Sequence, residues 1–218
     1  MYKFSHIVNQ GCEAMARGFS EREKEAIKTR LMDAAEECWG KYGLKKTSVD
    51  ELVSMSNISK GSFYLFYPSK EHLFMDVFDR IDQRIKAEMF KKLKSIDGDP
   101  RDSFLSVIRL LFSEVKKTPW VLNLYEGDVE LLVRKLPPER INTHLNNDDS
   151  AALELLRIFG IEPAIDHKII SGAFRAVFLT LLHKQEIGAD IFDDVLDYLL
   201  SAVTEKLFSD ISSAGDSR

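Results

Sequence analysis

Only two cysteines, Cys12 and Cys38, occur in the 218 residues, too few for the disulfide framework of a small secreted fold. Cys38 falls on the apolar face of a predicted helix. A buried free thiol in a reducing compartment is therefore favoured over a disulfide or a redox sensor. No apolar run reaches the ~18–20 residues that a bilayer crossing needs, so no membrane segment is expected. The opening MYKFSHIVNQGCEAMARGF has no long apolar stretch of the secretory type, and the expected location is the cytoplasm. Catalytic signatures are also missing. No glycine-rich phosphate loop follows a strand, and neither H-E-x-x-H nor G-x-S-x-G is present. The scattered carboxylates make no convincing acid/base pair, and no His–Cys–carboxylate cluster has metal spacing. An enzyme is the least favoured class, and neither a cofactor nor a metal is expected.

What remains is an ordinary soluble composition: 44% apolar and 30% charged residues, with enough chain for a proper core. The net charge of −5, taken alone, argues against a nucleic-acid partner. The distribution argues otherwise. Lys41, Lys45, Lys46, Lys60 and Lys70 lie in a stretch whose only acids are Asp50 and Glu51, while Asp148, Asp149, Asp190, Asp193, Asp194 and Asp197 come late. Phosphate contacts respond to local lysines rather than to the total.

The apolar spacing is helical almost throughout, and the fold class is all-α, with about nine helices and no convincing strand or repeat. Ile27, Leu31, Ala34, Ala35, Cys38, Trp39 and Tyr42 recur at steps of three and four. Ser20 with Glu23 forms a capping box, and Gly43 is a suitable left-handed stop. A short second helix opens on the box Ser48–Glu51 and ends near Asn57, which tolerates positive φ. Ser59 caps a third, with Ile58 and Phe63 as a hydrophobic staple, and Pro68 prevents its continuation. Ser69 caps a fourth helix running to about Lys94, some 36 Å long at 1.5 Å per residue. Further helices are predicted near 102–117, 120–134, 149–159, 166–184 and 190–208, with loops at Pro137-Pro138 and Asn146-Asn147-Asp148-Asp149.

Three helices in the order long, short, short, with a tight connection between the last two, make a helix-turn-helix. The second helix braces the third so that it can enter a major groove about 12 Å wide. Ile58, Phe63 and Tyr67 can point inward; Lys60 and Tyr64, at i and i+4, share the opposite face. Gly61 removes bulk where a backbone must approach DNA. Ser48 and Ser59 stand at helix N-termini, where free N–H groups attract phosphate, although both would cap a helix without DNA. Lys60 read alone could be an ordinary solvated lysine, and Tyr64 half-buried packing.

The run TSVDELVSMSNISKGSFYLFYPSKEHLF, Thr47 to Phe74, resembles the DNA-binding signature of the tetracycline-repressor (TetR) family. The likeness extends back through Ala34-Ala35 and Tyr42-Gly43, over about fifty residues. It implies that Ser48 contacts a phosphate, that Lys60, Gly61 and Ser62 face the groove with Ser59 at the helix entrance, that Tyr64 touches backbone and a base, and that Lys70 binds phosphate. Phe66 departs from the family pattern, standing where Tyr or His is usual, and Tyr67 replaces a Phe, so its hydroxyl either reaches DNA or belongs to the core. Asn57, Val53 and Ser56 replace a glycine and two alanines of the turn.

The resemblance further implies a sequence-specific transcriptional regulator: a repressor that leaves double-stranded operator DNA when a small, largely apolar effector binds, and that works as a homodimer. The expected organisation is an extension over 1–19, a DNA-binding domain over 20–68, an effector-binding and dimerisation domain over 69–210 and a tail over 211–218. Phe112, Trp120, Tyr125, Phe159, Phe174 and Phe178 lie on helices that would surround the effector. Ile169, Gly172, Ala173 and Ala176, with Val195, Leu199 and Ala202, would form the dimer seam. A helical protein-interaction module that has lost DNA binding is the alternative.

Overall fold

The computed structural model describes residues 19–93, 98–117, 127–163 and 165–215, with side chains described through 209. The described residues are helical with no strand: α1 Glu21–Lys46, α2 Val49–Ser56, α3 Lys60–Phe66, α4 Lys70–Leu93, α5 Pro100–Lys116, α6 Asp128–Lys135, α7 Pro138–Ile158, α8 His167–Thr180, a four-residue α9 Lys184–Ile187 and α10 Phe192–Gly215. A 3₁₀ turn, Leu181–His183, separates α8 from α9.

Helix boundaries follow local chemistry. Ser20 Oγ accepts from Glu23 N, and Glu23 Oε2 in turn accepts from Ser20 N at 2.8 Å, closing the predicted capping box. Gly43 interrupts α1 with φ 76°, the left-handed region that a β-carbon disfavours. Ser48 Oγ caps α2 through Glu51 N, and Asn57 ends it at φ 53°. Ser59 Oγ caps α3 through Ser62 N at 3.0 Å.

α1 packs on α2 and α4, and its inward stripe of Leu31, Ala35, Cys38 and Trp39 is at most 1% exposed. Trp39 meets Phe74 edge to face at 5.2 Å, a geometry that adds to simple area burial. Cys38 is buried and unbridged, and burial pushes its thiol above the ordinary range. Beyond α4, helices α5, α7, α8 and α10 wrap a second part of the same apolar core around Phe104, Val107, Leu156 and Leu200.

Three boundaries differ from expectation. Residues 146–149 are a central turn of α7, not a loop, because Asp148 and Asp149 are held in ion pairs by α4 and α8. The run predicted as one helix over 166–184 ends at Thr180 and tightens into the 3₁₀ turn. α10 continues to Gly215, into the expected tail. Residues 1–18 of the expected extension over 1–19, with Cys12, and the start of the helix predicted at 120 lie outside the described residues.

Candidate functional site

α3 is a seven-residue helix with one face buried and one bare. Phe63 is fully buried, and Tyr67, its C-cap, is 3% exposed. Lys60, Gly61, Tyr64 and Leu65 are exposed, Tyr64 by 53% and Leu65 by 76%. The Tyr64 ring stands edge-on to Phe63 at 5.3 Å, so a buried ring aims an exposed one. A β-carbon at Gly61 would meet only Ser59 Oγ, at 3.8 Å. Nothing among the described residues requires glycine there, although glycine in a helix costs about 1 kcal/mol relative to alanine.

The expected DNA-contacting residues divide on this geometry. Ser48, Ser59, Lys60, Gly61 and Tyr64 are exposed. Ser62 is half-buried, its hydroxyl 2.8 Å from Ser59 Oγ. Lys60 Nζ pairs with Asp50 at 3.0 Å, both side chains largely in solvent. Tyr67 does not belong to this face. Its ring is core, and burial, with the Asp76 charge adding, pushes its phenol above the ordinary range. Lys70 is likewise not a free phosphate ligand. Its ammonium donates to Leu44 O at 2.8 Å and Thr47 O at 2.6 Å, covering the carbonyl end of α1, where a cation is favoured. Leu65 escaped sequence reasoning. Its signal is an apolar residue one step past Tyr64, a position the inward stripe cannot reach.

The second feature is a cavity of about 460 Å³ between α4, α5, α6, α7 and α8. Phe112, Phe174 and Phe178 line it as expected. Phe159 does not; it packs at 5.5 Å on Phe104, which does line the cavity. Trp120 and Tyr125 lie outside the described residues. Six lining residues of α4, Met75, Phe78, Asp82, Ile85, Lys86 and Met89, were not anticipated.

One wall of this cavity is charged. Lys86 Nζ lies 2.6 Å from both Asp82 and Asp148, Arg175 pairs with Asp148 at 3.3 Å and Asp149 at 3.1 Å, and His144 Nδ1 is 2.7 Å from Asp79. Arg140 adds contacts to Asp76 at 2.8 Å and Asp79 at 2.5 Å. Burial alone would lift Asp79, but the hydrogen bonds from His144 and Arg140 outweigh it and hold that carboxyl below its ordinary range.

The two features are joined by Asp128, the first residue of α6 and only 2% exposed. Its Oδ2 accepts from Leu44 N at 2.7 Å, the first amide after the Gly43 break, and from Trp39 Nε1 at 3.0 Å. A β-carbon at residue 43 would stand 3.2 Å from that oxygen. Glycine there therefore supplies both the backbone angle and the clearance. The next residue, Val129, lines the cavity.

The expected dimer residues lie on α8 and α10. Ile169 is 60% exposed, Ala176 and Ala202 are also exposed, and Gly172, Ala173, Val195 and Leu199 are half-buried. Leu179 and Tyr198, the latter 74% exposed, extend the same apolar stripe. Among the described residues, no helix is long and apolar enough to cross a membrane.

Known proteins resemble the chain in the same parts. Residues 31–77 match the family model for bacterial regulatory proteins, tetR family. The uncharacterized HTH-type transcriptional regulator YuxN of Bacillus subtilis is 24% identical over 64% of this chain, a match spanning 46% of YuxN, less than half its length. The HTH-type transcriptional regulator QacR of Staphylococcus aureus is 23% identical over 76% of this chain and 90% of its own. The crystal structure of Thermus thermophilus FadR, a TetR-family repressor in complex with lauroyl-CoA, shares the fold with a TM-score of 0.62 at 16% identity, over 83% of this chain and 93% of FadR. The matched segment falls on the braced helices α1–α3 and the start of α4, so residues 31–77 form a module similar to the DNA-binding part of the bacterial tetR-family regulatory proteins.

Proposed function

We propose that this chain is a cytoplasmic TetR-family repressor that binds operator DNA as a homodimer and releases it when a small, largely apolar effector fills the cavity beneath α4. One observation carries the DNA-binding half. Lys60 and Tyr64 project from the bare face of α3, with Gly61 beside them where no contact among the described residues requires it. A groove-facing helix needs a cation for phosphate or guanine, an aromatic to lie against sugar and base, and a bulk-free approach. The apolar Leu65 adds a surface suited to a thymine methyl group.

The effector half rests on the aromatic cavity and on its two routes to the reading head. The cavity-lining residues Met75 to Met89 span much of α4, and α4 begins just beyond α3. α4 is also fastened to α1, where Arg80 pairs with Asp33 at 2.8 Å and Glu36 at 2.6 Å. The second route runs from Val129 through Asp128 to the end of α1. A molecule that parts α4 from α6 and α7 therefore turns the reading head. In a dimer two heads must meet half-sites about 34–36 Å apart, so a small rotation weakens both contacts at once. Couplings of ~1–3 kcal/mol lower affinity by about 5–150-fold. The apolar stripe on α8 and α10 supports the pairing of two chains.

A gel shift with DNA from upstream of the chain's own gene tests the reading. The parent is expected to give a specific shift that the double substitution Lys60→Ala, Tyr64→Ala abolishes. Retention of the shift by that double variant would place the reading face elsewhere.

A further inference from the structure

Three helices each contribute one polar pair, spaced i and i+4, to the same wall of the cavity: Asp82 and Lys86 from α4, His144 and Asp148 from α7, Ser171 and Arg175 from α8. The remaining lining is almost wholly apolar. A charged wall against an apolar hollow is costly to bury unless its charges are matched, so the balance of signs there indicates what the hollow accepts.

The balance is uneven. Behind and within the wall stand five carboxylates, Asp76, Asp79, Asp82, Asp148 and Asp149, joined in one network with the fixed cations Lys86, Arg140 and Arg175 and with the imidazole of His144. Each of the three fixed cations is already shared between two carboxylates. Arg140 keeps one buried nitrogen, Nη1, without a partner, but Arg140 does not line the cavity. The lining cations Lys86 and Arg175 are both committed, so an entering anion would face the carboxylate excess across a poorly screening medium. Burial, with the Asp148 charge adding, holds the Asp82 carboxyl above its ordinary range in spite of Lys86, the sign expected where acids outnumber bases. The rest of the lining includes Phe78, Phe104, Phe112, Phe174 and Phe178. Phe78 touches the charged wall itself, its ring 5.0 Å from that of His144. Aromatic faces carry negative potential and attract organic cations, quaternary ammonium groups above all.

We infer that the effector is an organic cation: an apolar body carrying one ammonium-type charge, which lies among the cavity phenylalanines and faces Asp82 and Asp148. A bare metal ion fits less well. Asp82, His144 and Asp148 bring donor atoms within 4.8 Å of one another, but the Lys86 ammonium already sits 2.6 Å from both carboxylates. An organic cation can approach from the cavity side with its own apolar body. The inference rests on the reading of this cavity as the effector site.

Three probes of matched chain length separate the charge classes: decyltrimethylammonium, 1-decanol and decanoate, titrated by calorimetry into the full chain below micellar concentration. Decyltrimethylammonium is expected to bind at least about tenfold tighter than decanol, with decanoate weakest, and to release operator DNA in a gel shift. Asp82→Asn and Asp148→Asn, with folding checked by circular dichroism, are expected to erase the preference for the cation while leaving decanol binding in place. Equal or tighter binding of decanol or decanoate overturns the charge assignment and leaves the cavity reading standing. Binding by none of the three overturns both. A response to manganese or magnesium alone would identify a metal site and overturn the organic cation.

Discussion

Two lysines of the DNA-binding module look alike in sequence and differ in what holds them. Lys70 spends its ammonium on the carbonyls of Leu44 and Thr47, whereas Lys60 faces solvent beside Asp50. Exposed pairs of the second kind contribute little and exchange readily for phosphate. Lys70→Met is therefore expected to lower the stability of the chain by roughly 1–3 kcal/mol, measured by denaturant unfolding, while the salt dependence of DNA binding stays as steep as before. Lys60→Ala should do the reverse, making that slope shallower by about one with little change in stability. Removing the competing acid in Asp50→Asn should tighten DNA binding at low salt, as read by fluorescence anisotropy. Lys60 and Tyr64 were legible as an outward pair because i and i+4 fall on one face of a helix. Tyr67 was readable both ways, and Lys70 misled because a carbonyl partner more than twenty residues away leaves no local trace.

At the level of elements, the caps and breaks of α1 to α4 could be read locally: Ser20 with Glu23, Gly43, Asn57, Ser59 and Pro68 each act within a turn of their own position. α7 could not. Asn146-Asn147-Asp148-Asp149 has the composition of a loop, yet it is helical because Lys86 and Arg175 reach it from other helices. The cavity wall was hidden for the same reason, since its three polar pairs acquire meaning only when three helices converge. The seam between α4 and α7 makes a pH prediction. Asp79 holds its proton less readily in the folded chain than in the unfolded one. Its contribution is therefore present above the ordinary aspartate value of about 3.9 and is lost progressively as pH falls below it and through the lower folded value. Thermal melts across this range should show a falling midpoint, and Asp79→Asn should flatten that acid limb while lowering the midpoint at neutral pH.

Across the whole molecule, the apolar stripe through Ile169, Leu179 and Tyr198 is the surface that a monomer would leave wet. Tyr198→Asp combined with Ile169→Asp is expected to convert a dimer to a monomer in analytical ultracentrifugation and to weaken operator binding sharply, since each head alone meets only half a site. Small residues at 172, 173 and 176 marked this face in the sequence, whereas Ile170, Val177 and Leu181 on the same helix turn into the core. The α6 connection works at this scale too. Asp128→Ala strands the Leu44 amide and should cost roughly 1–3 kcal/mol, with a smaller loss of DNA affinity on effector addition than in the parent. Val129, Leu132 and Val133 of the same short helix line the cavity, so appetite and grip share one hinge pin. If the chain is the repressor proposed above, a lineage that reshapes this helix to admit a new chemical also resets how tightly the idle protein holds DNA. Retuned strains should thus display altered leakiness even before any inducer is supplied.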